Sequence, residues 1–163
     1  AASAGRGASQ GEHVRLNGQW LLDTNVLLRL QEDDPACSNE TTEAVANLLD
    51  SAPRVCITPQ VLIELWCVGT RPLDANGLGW DVETADARIF DCWNRFEVLD
   101  DSPEVFKHWL SLVRTHETKG KQVHDARLIA VMLAYGVDHL LTFNVDDFRR
   151  YQEIKAVHPA DVK

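Results

Sequence analysis

The apolar run Trp20-Leu21-Leu22 stops at three consecutive polar residues, Asp23-Thr24-Asn25, and resumes as Val26-Leu27-Leu28 in a pattern that suits a helix better than a strand. A chain that changes period at a polar break predicts a buried strand feeding a helix, with Asp23 at the strand's carboxyl end. Open α/β sheets bind their ligands beyond that edge. What such a chain can do depends on whether other acids reach the same edge.

The pattern recurs along the chain. Asp33-Asp34-Pro35 is expected to close the first helix, and Ser38 to cap a second from about 39 to 50. Arg54-Val55-Cys56-Ile57-Thr58 reads as the next strand, and Pro59 opens a helix with Val61, Leu62, Leu65 and Trp66 on a broad apolar face. Glu64 lies inside that apolar helix, so it either points along an edge or faces a partly buried polar site. Residues 71–79 form a turn-rich loop. A helix over 82–94 is expected to bury Ala85, Ile89, Phe90 and Trp93, and Phe96-Glu97-Val98-Leu99 to form a third strand.

Ser102-Pro103 starts a further helix, for which Phe106, Trp109, Leu110 and Val113 are the expected core stripe and Gly120 the end. The helix over 123–136 is apolar all round from Leu128 to Ala134, which marks it as central. Asp125 falls in its first turn, where the positive helix end favours any carboxylate, catalytic or not. Residues 138–143 and 154–157 complete the strands, and the first of these is again stopped by polar residues, Asn144-Val145-Asp146-Asp147. Alternation of strands and helices predicts a mostly parallel sheet of about five strands in a three-layer α/β/α arrangement.

At 163 residues and 45% hydrophobic composition the chain suits one domain over 18–163, burying roughly two-thirds of its unfolded surface. Residues 1–17 are rich in Ala, Gly and Ser and read as a disordered leader or a cloning remnant. No apolar run approaches a membrane span, and the expectation is a cytoplasmic protein. Cys37, Cys56, Cys67 and Cys92 have no Cys-x-x-Cys spacing, which favours reduced, partly buried thiols over a disulfide framework or a zinc site.

The formal net charge of −9 argues against a polyanionic partner, but its distribution qualifies that. Residues 1–100 carry 7 Lys and Arg against 16 Asp and Glu, whereas residues 101–163 carry 9 of each. A polyanion would be met around Lys119, Lys121, Arg127, Arg149 and Arg150, or through bound metal.

Right-handed connections in a parallel sheet bring Asp23, Glu64 and Asp147 to one edge, and Asp125 joins them if its helix starts there. Two carboxylates about 4 Å apart repel by roughly 4 kcal/mol at an effective dielectric of 20, so such a cluster needs cations or raised pKa values. Oxygen ligands without Cys or His suit Mg²⁺ or Mn²⁺, which leave positions for phosphate oxygens and water. That donor set suits metal-assisted phosphodiester hydrolysis.

Leu22-Asp23-Thr24-Asn25, Val61-Leu62-Ile63-Glu64-Leu65, the stretch Gly120 to Ala126 and the stretch Leu141 to Phe148 resemble, in order, the successive motifs of the PIN-domain family, and more closely its VapC-like toxin branch. The resemblance runs from about residue 18 to Val157-His158-Pro159. It implies a PIN fold, a Mg²⁺- or Mn²⁺-dependent endoribonuclease, a homodimer, and an antitoxin whose basic side chain enters the acidic site. Asp23, Glu64 and Asp125 match the family's acidic positions. At the fourth, many members have Asp where this chain has Asn144, and Asp147 is expected to supply the carboxylate. Thr24, Asn25 and Thr142 are the expected supporting residues, and Lys119, Lys121, Arg127 and Arg149 the expected RNA contacts.

Three alternatives compete: an RNA-processing PIN nuclease that is not a toxin, a catalytically silent PIN binding module, and phosphoryl transfer through an aspartyl phosphate. The last is weakened because Asn25, not Asp, stands two residues after Asp23.

Overall fold

The computed structural model describes residues 16–163, so all but the last two residues of the expected leader lie outside the described residues. In chain order the elements are β1 (Gln19–Leu22), α1 (Thr24–Leu30), α2 (Pro35–Ser51), β2 (Arg54–Ile57), α3 (Pro59–Thr70), α4 (Val82–Arg95), β3 (Glu97–Val98), α5 (Pro103–Thr115), α6 (Gln122–Tyr135), β4 (His139–Leu141) and β5 (Lys155–Val157). A 3₁₀ turn over Val145–Phe148 follows β4.

All five strands are parallel, in the order β3-β2-β1-β4-β5. From β1 the chain steps outward through β2 to β3, then crosses back over β1 to β4. Right-handed crossovers in opposite directions put their helices on opposite faces, which gives the expected α/β/α layers. Accordingly α1 packs against α2 and α3, and α3 against α4, while α5 pairs with α6. The direction reverses between β1 and β4, so the crevice at a switch point opens beyond Leu22 and Leu141, which lie opposite each other in register.

Helix starts follow local chemistry. Thr58 and Ser102 cap α3 and α5 through their side-chain oxygens, each followed by a proline whose missing N–H costs nothing there. Gly136 ends α6 at φ 68°, a left-handed conformation in which glycine carries no Cβ penalty. The second helix starts earlier than expected. Asp34, not Ser38, is its cap, because Pro35 already fits the first helical position; Asp34 accepts the Ala36 N–H and Ser38 instead donates to the Asp34 carbonyl.

The core forms around Trp20, Leu21, Leu22, Ile57, Leu140 and Leu141 in the sheet and Leu128 to Met132 in α6. Cys56 and Cys92 lie within it, and burial pushes both thiols up to about 11; Cys37 and Cys67 are exposed. Two expected stripes hold in part: Trp109 and Val113 on α5 and Ile89 on α4 pack against the core, and Ala85 is buried. On α5 the buried positions are Val105 and Leu112, and Phe106 is 62% exposed. On α4, Ala85 and Cys92 face inward while Phe90 and Trp93 are 64% and 53% exposed. Gly120, at φ 57°, lies in the loop beyond the end of α5 rather than ending it.

Gly69, near the end of α3, shows how tightly the following loop is folded back. Trp80 donates its backbone N–H to the Gly69 carbonyl at 2.8 Å, and a Cβ on Gly69 would stand 2.2 Å from Cε3 of the Trp80 ring. Replacing a helical glycine by alanine ordinarily gains about 0.5–1 kcal/mol, but overpacking of this kind costs about 1–3. Gly69→Ala should therefore lower stability in urea unfolding by about 1 kcal/mol or more. A gain would show that the ring moves aside freely.

Candidate active site

Asp23 leaves the end of β1 in an extended conformation and caps α1. Its backbone N–H donates to the Leu141 carbonyl at 3.0 Å, so the residue continues the β1–β4 pairing and sits at the switch-point crevice. One carboxylate oxygen accepts the Thr24 N–H at 2.7 Å and the other the Thr142 hydroxyl at 2.7 Å. Burial nevertheless raises its pKa. The two hydrogen bonds pull the other way, and the charges of Glu64 and Asp147 add to the increase.

Thr142 is fully buried and uses its whole hydroxyl valence. It donates to Asp23 and accepts from the Asn25 side-chain amide at 3.2 Å and the Asn144 N–H at 3.1 Å. Asn25 also accepts the Phe143 N–H at 3.2 Å, tying α1 to the segment after β4.

Glu64 occupies the second turn of α3 and is partly buried. One of its carboxylate oxygens accepts the Thr24 hydroxyl at 2.6 Å and the other the Gln60 amide at 3.0 Å. Thr24 thus binds two acids at once, Asp23 through its backbone and Glu64 through its side chain.

Asp125 arrives from the other layer. Because α6 leads directly into the parallel strand β4, it runs back against the strands, and its first turn lies at their carboxyl edge. The half-buried Asp125 carboxyl is pushed up to about 6, by burial first and then by the charges of Asp23, Asp147 and Glu64; His124 partly offsets them. One titrating group thus senses the other three acids together. Asp147 lies exposed in the 3₁₀ turn after β4, and Asn144, also exposed, immediately precedes that turn. Both line an open cavity of about 490 Å³, shared with Phe143, Arg149 and His158.

All side-chain donors at this edge are oxygens of Asp, Glu, Thr and Asn, apart from neutral amides, so the chemistry fits a hard divalent cation. Among the described residues no three His, Cys, Asp or Glu side chains converge closely enough to hold one ion. An ion that keeps several of its waters needs only one or two carboxylates, and the mutual repulsion felt at Asp125 is what such an ion would relieve.

The family model described as "PIN domain" matches residues 20–154, which contain all four acids. The chain belongs to the PIN domain family. Over 136 residues it is 32% identical to Ribonuclease VapC24 of Mycobacterium tuberculosis, covering 78% of this chain and 87% of that protein. The fold is similar to that of M. tuberculosis VapC20, described as a sarcin-ricin loop cleaving toxin, with a TM-score of 0.61 at 21% identity over 82% of this chain and 95% of that one. It is also similar to a chain of a toxin-antitoxin complex from Klebsiella pneumoniae, with a TM-score of 0.60 at 20% identity over 86% and 98%.

The basic residues of this PIN domain are less uniform than the sequence suggested. Lys119 and Lys121 are exposed in the loop before α6. Arg149 pairs with Asp146 at 2.8 Å. Arg127 is partly exposed and is hydrogen-bonded to Asp101 and to Gln60, the latter also bound to Glu64. Gln60 itself was absent from the sequence reading, although its position four residues before Glu64 on one helix face was the available signal.

The raised Asp125 pKa sets the sign of a stability effect in the absence of cations. A folded-state acid that holds its proton more tightly than in the unfolded chain contributes stability below pH 4 that is lost as pH rises through about 6. Each pKa unit corresponds to about 1.4 kcal/mol, and exposure screens this half-buried group, which reduces the expected effect to about 1 kcal/mol. In EDTA, Asp125→Asn should therefore be more stable than the wild type at pH 7.5, and the advantage should vanish by pH 4. Equal stability at both pH values would show that the four acids do not repel one another.

Proposed function

We propose that this PIN domain is a Mg²⁺- or Mn²⁺-dependent endoribonuclease, the toxin of a toxin-antitoxin pair, acting in the cytoplasm. The observation that carries the reading is the placement of Asp23, Glu64, Asp125 and Asp147 at the switch-point edge of the sheet, with both carboxylate oxygens of Asp23 and of Glu64 held by hydrogen bonds. The similarity to Ribonuclease VapC24 and to a chain of a toxin-antitoxin complex supports the substrate class and the partner.

In this reading Asp23, Glu64, Asp125 and Asp147 are the metal-holding carboxylates, with Asn144 as a neutral oxygen donor beside them. A bound Mg²⁺ or Mn²⁺ would neutralise the acids, polarise the scissile phosphate and lower the pKa of water. The chain's own contribution is preorganisation. Thr142 and the Thr24 N–H fix both oxygens of Asp23, while Thr24 and Gln60 fix both oxygens of Glu64, so neither side chain needs to reorient on binding. Asn25 locks Thr142 in place. Lys119, Lys121 and Arg149 supply positive charge for the RNA backbone.

A basic antitoxin segment suits the acidic crevice. Exposed apolar side chains on α3 and α4, Ile63, Phe90 and Trp93, offer surface for a protein partner such as a second copy in a homodimer.

Purified protein should cleave RNA with added Mg²⁺ or Mn²⁺ and stop in EDTA. Asp23→Asn and Asp125→Asn should each reduce the rate by about a hundredfold or more while the circular dichroism spectrum stays native, in line with the loss of a preorganised electrostatic contact. Full cleavage by both variants would refute the assignment. Induced in a bacterial host, the wild-type chain should arrest growth and Asp23→Asn should not; a processing nuclease would cleave RNA without the arrest.

A further inference from the structure

Gln60 sits in the first turn of α3 and has three hydrogen-bond partners in three different roles. Its amide nitrogen donates to Glu64 at 3.0 Å and to the backbone carbonyl of His124 at 3.2 Å, and its amide oxygen accepts from Arg127 at 2.9 Å. Arg127 is held in turn by Asp101, in the loop between β3 and α5.

These bonds join two parts of the molecule that otherwise rest on different neighbours. The helix that carries Glu64 packs on α1 and α4, and the helix that carries Asp125 packs on α5. Among the described residues, every hydrogen bond between α3 and α6 has Gln60 as donor or acceptor. One of the two is made to His124, the residue directly before Asp125. At the first turn of α6 the Gln60 bond reaches a backbone carbonyl from outside that helix. Trp109, from α5, supplies another through its indole N–H to the Val123 carbonyl at 2.9 Å.

From this geometry we infer that Gln60 is a positioning residue of the acidic site, setting Glu64 relative to Asp125, and that Arg127 serves chiefly to hold Gln60 rather than to contact RNA. The inference rests on the metal-dependent reading above. An amide suits this role because it donates to a carboxylate and a carbonyl on one side and accepts from a guanidinium on the other. Glutamate in its place would put a second negative charge beside Glu64, and leucine or methionine would leave Glu64 with a single partner. Partners that orient metal-binding carboxylates without touching the ion typically change affinity by about 10–100-fold when removed.

The test is Mn²⁺ binding by titration calorimetry, with RNA cleavage as a second readout. Gln60→Met keeps the side-chain length but removes all three hydrogen bonds. It should weaken Mn²⁺ binding about tenfold and raise the Mn²⁺ concentration for half-maximal cleavage, with little change in the KM for RNA at saturating Mn²⁺. Arg127→Met should weaken Mn²⁺ binding in the same direction, and the double variant should be no worse than Gln60→Met alone, as expected for residues acting through one another. Wild-type Mn²⁺ affinity in Gln60→Met, or an Arg127→Met that raises only the KM for RNA, would overturn the inference while leaving the nuclease reading intact. A wild-type protein that binds no Mn²⁺ and cleaves no RNA would overturn both. If Gln60→Met does not fold, the Mn²⁺ affinity of Arg127→Met decides the question, because it removes the same support from the opposite side.

Discussion

The Asp23 carboxylate is buried at the one point where the sheet reverses direction, and the hydroxyl of Thr142 makes that burial tolerable. A carboxylate out of water is costly unless its oxygens are hydrogen-bonded. Here one oxygen is met by a helix N-terminus and the other by a side chain on the neighbouring strand's extension. Neither contact suffices to offset desolvation, and the pKa remains raised. The same contacts define the fold locally, since Asp23 caps α1, continues the pairing of β1 with β4, and shares Thr142 with Asn25 and Asn144. Stability and the acidic site therefore draw on the same few atoms, and the site is the place where this domain tolerates unfavourable charge.

The other acids reach this point for a topological reason. Parallel strands place all their carboxyl ends at one edge, and helices that return to the next strand begin or end there depending on direction. Glu64 comes from the start of a helix leaving β2, and Asp147 from the turn leaving β4. Asp125 lies at the far end of a helix that precedes β4, on the opposite face of the sheet. Four acids separated widely in sequence thus come to one edge of the sheet, and each sits in the first turns of a helix, in the turn leaving a strand, or at the cap between strand and helix, where backbone geometry is well determined.

How much of this could be read from the sequence depended on whether the signal was local. Asp23 and the Thr58-Pro59 and Ser102-Pro103 starts were legible because a cap and a period change involve adjacent residues. On α5 the sequence stripe held only in part, because an apolar face can be seen in sequence whereas what covers it cannot. Val105 and Leu112 face the core and Trp109 and Val113 pack against it, while Phe106 is exposed beside Trp109. Phe90 and Trp93 on α4 differ from Ala85 and Cys92 in the same way, with no other described element covering them. Asp125 could be nominated but not placed, since its position depends on the direction of α6 across the sheet. Gln60 was missed because an amide four residues before a glutamate is common on exposed helices. Only the approach of α6 gives it a second and a third partner.

Charge raises a final question of order. A chain of net charge −9 with a cluster of acids is poorly suited to receive another polyanion, and part of its positive charge is already committed: Arg127 to Asp101, Arg149 to Asp146, and Arg54 to Glu97. On the proposed reading the positive charge of Arg127 and Arg149 is already partly offset by a carboxylate neighbour, which weakens its pull on a phosphate. Cation binding resolves the conflict, since it neutralises the acids that repel the substrate and presents positive charge at the crevice. A basic protein segment in the same crevice would do the same while excluding the ion and the RNA. Burial and the neighbouring acids together raise the Asp125 pKa, and the charge part of that strain would favour either occupant, so it can serve activation by a metal and inhibition by a partner.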